Sequence, residues 1–273
     1  YKRQEGNVLV TDNKEMAKIL ISWYCSVFTR EDLQQLPEAE QLFTGNTPLN
    51  SVTFTPKLVS EKLKKLNPNS APGPDGIWTR ILHSTADIIS VPLAAIYAKC
   101  LEEGAVPPEW KTANVTPIFK KGSKSVAGNY RPVSLTCVVG KVMEMIICDA
   151  IVEHLKTFDL IRRSQHGFLR GRSTLTNLLS YLEELTKLLD KGHSIDVVYL
   201  DFSKAFDKVP VRRLLNKCSG LEIQGKLLVW IEEWLTGRKQ RVVLNGEASL
   251  WGEICSGVVQ GSCLGPVLFT IFI

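Results

Sequence analysis

Residues 199–210 read YLDFSKAFDKVP, where a largely apolar run from Ile195 to Leu200 drives straight into Asp201 and a second aspartate follows at Asp207. With the period of two that a strand imposes, Val197, Tyr199 and Asp201 share one face, and Val198, Leu200 and Phe202 share the other. Asp201 then stands at the rim of a sheet, held by a buried scaffold. Such a carboxylate can cap the following turn, pair with a cation, or supply hard oxygen to Mg2+ for phosphoryl transfer. The stretch alone leaves these open. Asp207, in a helical turn ended by Pro210, reads as a local hydrogen-bonding residue.

Two acid-free basic stretches lie upstream. FKKGSKSVAGNYRP, residues 119–132, carries Lys120, Lys121, Lys124 and Arg131, interrupted by Gly122 and Gly128. A glycine-containing loop brings backbone and ammonium groups close to phosphate, and arginine grips one through two parallel hydrogen bonds. A solvated basic loop is the plainer alternative. IRRSQHGFLRGRST, residues 161–174, carries Arg162, Arg163, Arg170 and Arg172 with His166 and Phe168 between them. That mixture stacks on bases while neutralising phosphates, or merely makes a cationic turn that caps the helix opened by Ser173. Near the end, SGVVQGSCLGPVLFTIFI, residues 256–273, places Gly257, Gly261 and Gly265 four apart around Gln260. It fits neither a phosphate-binding P-loop nor G-x-G-x-x-G. It offers a surface poor in side chains where a base pair can approach the backbone, and a helix–helix contact uses the same glycines.

Composition narrows the classes. The chain has 273 residues, 44% hydrophobic and 22% charged, with 33 Lys and Arg against 28 Asp and Glu, for a net charge of +5. This is ordinary for a globular protein, with a slight bias towards polyanionic partners. Seven cysteines and four scattered histidines include no C-x-x-C pair and no H-E-x-x-H, so neither a disulfide framework nor a zinc site is indicated, and a reduced, intracellular setting is expected. No apolar run approaches the roughly 20 residues that span a bilayer. The first residue is Tyr1 and the last apolar run stops without a polar exit, so we expect a fragment of a longer protein.

The elements that position these groups follow from spacing. Helices are expected over 12–28 behind Asp12, over 56–66 behind Thr55, and over 88–103, 141–155 and 174–190, the last capped by Ser173. Another apolar helix follows Gly265. Strands are expected over 115–119, 197–202 and 240–244, with a hairpin turn at Asn245 and Gly246. Residues 30–50 read as a linker, and NPNSAPGPDG, residues 67–76, must be loop. Helices lead and strands gather late, which favours α+β over alternating α/β.

In this order, the motifs resemble the reverse transcriptase of non-LTR (LINE-type) retrotransposons, closest to the CR1 and Jockey-like groups. SAPGPDGI at 70–77 resembles the segment upstream of the fingers that these enzymes have and retroviral ones lack. NYRPVSL at 129–135, QHGFLRGRST at 165–174, YLDFSKAFDKVP at 199–210 and GVVQGSCLGPVLF at 257–269 resemble the next four blocks. The resemblance implies an α+β right-hand polymerase fold with helical fingers, an incomplete palm and no thumb. It implies an N-terminal helix and linker over 1–55, fingers over 56–193 and the first part of the palm over 194–273. The reverse transcriptase domain would run from about residue 100 past the chain end.

It also implies two-metal transfer of dNTPs onto a DNA primer 3′-hydroxyl along an RNA template. Asp201 and the backbone carbonyl of Phe202 would ligate two Mg2+ ions. Lys120 and Arg131 would meet the triphosphate, Phe206 would stack under the sugar, Gln260 and Gly261 would lie against the nascent base pair, and Arg170 and Arg172 would face the template. An attached endonuclease, no membrane contact and a nuclear and cytoplasmic setting belong to the same expectation. Val259 stands where the family has proline. The chain stops before the aromatic-Ala-Asp-Asp block, so one carboxylate would remain where two ions repel each other, and the fragment alone is expected to be inactive. A non-catalytic nucleic-acid-binding remnant is the alternative. A group II intron maturase is disfavoured by NYRPVSL, APGPDG and FDKVP.

Overall fold

The computed structural model describes all residues except 1, 2, 6, 7, 35, 38–40, 42, 44 and 46. A short hairpin of β1 (Arg3–Glu5) and β2 (Val8–Val10) precedes α1 (Asn13–Val27). Then come α2 (Pro56–Lys64), α3 (Thr79–Ser84), α4 (Ala86–Glu103), β3 (Thr112–Phe119), β4 (Tyr130–Thr136), α5 (Val138–Thr157) and α6 (Thr174–Asp190). The chain closes with α7 (Val211–Gly220), α8 (Gly225–Leu235), β5 (Arg238–Leu244), β6 (Glu247–Ala248), β7 (Gly252–Ile254) and α9 (Leu264–Phe272). The fold is mixed α+β.

The main sheet runs β4-β3-β5-β6, with β7 also on β5. β3 and β4 are antiparallel, pairing Ala113 with Thr136 through Phe119 with Tyr130, whereas β3 and β5 are parallel over Thr112–Val115. Both prolines in this sheet sit where no ladder donor is missed. Pro117 lies beyond the β3–β5 pairing, and Pro132 lies on the edge strand. Helix α1 covers one face. Asp12 Oδ1 accepts from Glu15 N at 2.9 Å, and Ala17, Leu20, Ile21 and Tyr24 pack on Val115, Tyr130 and Val242. A second, larger core draws on residues from Phe54 to Ile271, with α2, α4, α5, α7, α8 and α9 around it. Its members come from both sides of residues 193 and 194.

Part of the 30–50 stretch falls outside the described residues. Of the rest, Phe43 stacks 5.4 Å from the His154 ring, and Leu49 N donates to Glu222 O at 2.8 Å. These residues are docked on the core.

One expected strand does not form. Residues 194–202 form no regular element and pair with no strand, with Val198, Tyr199, Leu200 and Phe202 between 69% and 90% exposed. A strand apolar on both faces needs neighbours on each side, and among the described residues none lies beside it. Helix α6 forms under a capping box, Ser173 Oγ accepting from Thr176 N, yet Leu175, Leu178, Leu179, Leu182 and Leu189 along it stay exposed.

The larger core encloses one polar knot. Glu144 of α5 is buried, its Oε1 accepting from Trp234 Nε1 at 3.1 Å and its Oε2 from Cys263 N at 3.0 Å. Arg238, also buried, donates to the carbonyls of Trp234 and Trp110. Burial pushes the Glu144 carboxyl up, against the pull of the Arg238 charge and these donors, and pushes the Arg238 guanidinium down to about 10. Glu144→Ala is expected to lower unfolding free energy by about 3–5 kcal/mol, as for any buried pair stripped of one member. Urea unfolding checks it, with Glu144→Gln expected to retain part of that loss because its amide oxygen still accepts.

Candidate nucleotide and template site

The glycine-rich segment after β7 is seated from two sides. Ser134 of β4 donates its N–H to Gln260 O at 3.0 Å, so the loop takes the place of a further strand on that edge. Across from it, Gly257 N donates to Val209 O and Val258 N to Phe206 O, both at 2.8 Å. Gln260 Nε2 reaches Asp207 Oδ1 at 2.9 Å, and Ser256 Oγ donates to Asp207 O at 2.7 Å. Asp207 therefore bonds a residue 53 positions away, a tie that is not local.

Close approach dictates the glycines. Gly257 has φ 90° and a Cβ there would lie 2.4 Å from Phe206 O, while Gly261 has φ 104° and a Cβ would lie 2.7 Å from Ser134 O. Neither contact is with another helix. Beyond the loop, α9 brings Phe269 to the turn. The Phe206 ring sits 4.8 Å from Phe269 and 5.6 Å from Phe168, so Phe206 is half-buried among aromatics at the junction of three segments.

The basic loop is shaped by its own bonds. Lys120 N donates to Asn129 O at 2.9 Å, Asn129 Nδ2 to Ser123 O at 2.8 Å, and Tyr130 Oη to Lys124 O at 3.0 Å. This leaves Lys120, Lys121, Lys124 and Arg131 exposed, and among the described residues none of them forms an ion pair. Arg131 lies three residues before Ser134 on β4, the strand whose edge bonds Gln260.

The second basic loop divides its arginines. Arg172 Nη1 donates to Arg163 O and Gln165 O, which folds the loop on itself, while Arg170 is exposed. Phe168, at φ 60° and 56% exposed, carries this loop onto Phe206.

Asp201 and Phe202 lie in the unpaired segment, both exposed. Among the described residues no three His, Cys, Asp or Glu side chains come together, so Asp201 offers a single carboxylate and these residues do not by themselves make a metal site. Sequence reasoning missed β4 as a strand and α3, α7 and α8 as helices, and missed the part of Asp207 in fixing Gln260. The signal available was the pairing of one buried-strand motif with a single side-chain amide.

Residues 118–273, more than half of the chain, match the family described as reverse transcriptase (RNA-dependent DNA polymerase). The chain belongs to that family, and its relatives are the RNA-directed DNA polymerases of non-LTR retrotransposons. It is 32% identical over 226 residues to the RNA-directed DNA polymerase from mobile element jockey of Drosophila funebris, which covers 82% of this chain and 24% of that protein. It is 26% identical over 276 residues to the probable RNA-directed DNA polymerase from transposon BS of Drosophila melanogaster, covering 99% of this chain and 30% of that protein. The chain thus spans about a quarter of the length of the curated relatives it matches.

Burial pushes the Asp207 carboxyl above its ordinary value of 3.8, against the Gln260 hydrogen bond and the Lys204 charge. A raised carboxyl holds its proton more tightly folded than unfolded, so stability is lost as pH rises through the folded value. Asp207→Asn, whose amide oxygen still accepts from Gln260, is expected to be the more stable form at neutral pH. The gap should narrow towards about pH 4, within the ordinary carboxyl range, as the parent takes up its proton. Urea midpoints at both pH values measure it, and an Asn variant weaker at neutral pH would show that the charged contact to Gln260 outweighs burial.

Proposed function

We propose that this chain is the nucleotide- and template-holding part of an RNA-directed DNA polymerase, comprising the fingers and the first part of the palm of the right-hand fold. The observation that supports it most is the seating of Gln260 between Ser134 and Asp207, which draws three separate motifs to one place. In this reading Lys120 and Arg131 neutralise the triphosphate of an incoming dNTP, from a hairpin already shaped for it. Fixed cations of this kind supply electrostatic positioning, the dominant contribution in phosphoryl transfer.

Gln260 and Gly261 present backbone and amide to the nascent base pair, and the half-buried Phe206 ring offers its free edge to the sugar. Arg170 meets the template backbone, while Arg172 acts by holding that loop in shape. Family members generally use divalent ions, which we take to be Mg2+ for this one, with the DNA primer 3′-hydroxyl as nucleophile. Asp201 is the single carboxylate this chain contributes, and no step is assigned to it beyond that. The family setting also leads us to propose an endonuclease elsewhere in the parent protein.

Two outcomes are expected. With primed RNA template, dNTPs and Mg2+, residues 1–273 should extend no primer above the level of Asp201→Ala. Extension that disappears only in that variant would mean that the carboxylates within this chain suffice. RNA binding should nevertheless be measurable and steeply salt-dependent. Arg170→Ala should flatten the slope of log affinity against log salt by about 0.7 on single strands. An unchanged slope would remove Arg170 from the template path.

A further inference from the structure

Beside the basic loop, on the flank of α1 that does not face the sheet, Ile19, Ser22, Trp23 and Ser26 form one wall of a groove of about 460 Å3. Ser125, Val126, Ala127 and Gly128 form the other. Trp23 is 40% exposed, and its ring lies so close to Gly128 that a Cβ there would stand 3.0 Å from Cζ2. The indole is therefore supported from one side by backbone and open on the other.

A large exposed indole usually completes an interface, and the surroundings specify which kind. The far wall leads directly into Lys121 and Lys124, both exposed, with no acid between 119 and 132. On α1, Glu15 is the nearest acid N-terminal to this wall, and it is paired with Lys18. The remaining groove residues are Ile19, Val126, Ala127 and Gly128 with the hydroxyls of Ser22, Ser26 and Ser125, and none is an anion that would repel a phosphate. An apolar protein segment would find two serines on α1, Ser125 opposite, and uncompensated cations at the rim. A base would find an exposed π face on the wall opposite the loop that carries two cations.

We infer that Trp23 and the loop carrying Lys121 and Lys124 form a binding surface for single-stranded RNA, outside the residues that meet the incoming nucleotide. An unpaired base stacks on the indole while Lys121 and Lys124 take the flanking phosphates. The choice of RNA over DNA rests on the polymerase reading above; the groove itself follows from the side chains. Because the loop is tied by Asn129 to Ser123 and by Tyr130 to Lys124, the cations are held before the strand arrives.

The test is binding of fluorescein-labelled oligo(A) 15-mers, RNA and DNA, to residues 1–273 across a salt series. Trp23→Leu should weaken RNA binding about 5- to 150-fold, the range of one lost stack, with its salt slope unchanged, and Trp23→Phe should recover most of it. The double variant Lys121→Ala, Lys124→Ala should instead flatten the slope by about 1.4. Urea midpoints monitor folding. Should Trp23→Leu not fold, Ser22→Glu, which adds a charge at the exposed lip without touching the core, should weaken binding at least fivefold. Parent-like affinity in folded Trp23→Leu, or in Ser22→Glu, overturns the proposal and leaves the groove to a protein segment. Equal Trp23 dependence for RNA and DNA would keep the surface and remove the template assignment. Flattening by Arg170→Ala without any Trp23 effect would keep the polymerase reading and remove this surface.

Discussion

A single buried carboxylate sets the geometry of the end of this molecule that carries the glycine-rich loop. Glu144 is placed where one oxygen must satisfy an indole of α8 and the other the backbone N–H that opens α9. Removing a carboxylate from water costs several kcal/mol, and the cost is offset only while both donors and the neighbouring Arg238 charge hold their places. Helices α5, α8 and α9 are therefore fixed to one another by a demand for hydrogen-bond partners, where apolar packing alone would tolerate small slides. The loop that carries Gln260 ends at Cys263, so its C-terminal anchor is this same oxygen.

The other anchors of that loop follow from the edge of a sheet. β4 has an exposed row of backbone groups on the side away from β3, and Pro132 removes one donor from it. The loop satisfies the next donor, Ser134 N–H, with its own carbonyl. To lie that near a strand on one flank and the 206–209 turn on the other, the loop must dispense with Cβ atoms at Gly257 and Gly261 and adopt positive φ at both. Val258 and Val259 between them turn into the core instead. Val259, where the resemblance leads one to expect proline, is thus buried in a segment already held at both ends, and the loop does not depend on a proline for its shape.

Much of this was legible in the sequence. Asp12, Thr55 and Ser173 each cap the helix expected of them, because an N-cap is a local transaction between a side chain and an N–H three residues on. Asn245 and Gly246 turn the chain at positive φ as their types require. The two acid-free loops are loops, with their cations exposed. What went unread was the strand at β4 and the bond from Gln260 to Asp207, which need partners beyond their own segments, together with the helices α3, α7 and α8 and the use of Arg172 to close its own loop.

The contrast between α6 and residues 197–202 carries the same lesson into function. Both are amphipathic or apolar, both expose their apolar residues, and they touch through the hydroxyls of Tyr181 and Tyr199 at 3.1 Å. Only the helix forms. A helix satisfies its backbone within itself once a capping box starts it, whereas a strand takes every hydrogen bond from a neighbour. The consequence falls on the two halves of the site unequally. Lys120 and Arg131 ride on a hairpin whose ladder is complete, so their placement is fixed by β3 and β4 alone. Asp201 rides on a segment with no ladder, so its carboxylate acquires a fixed direction only when a strand pairs with residues 197–202. The placement of these two cations is built into this chain, whereas no ladder among the described residues sets the direction of the Asp201 carboxylate.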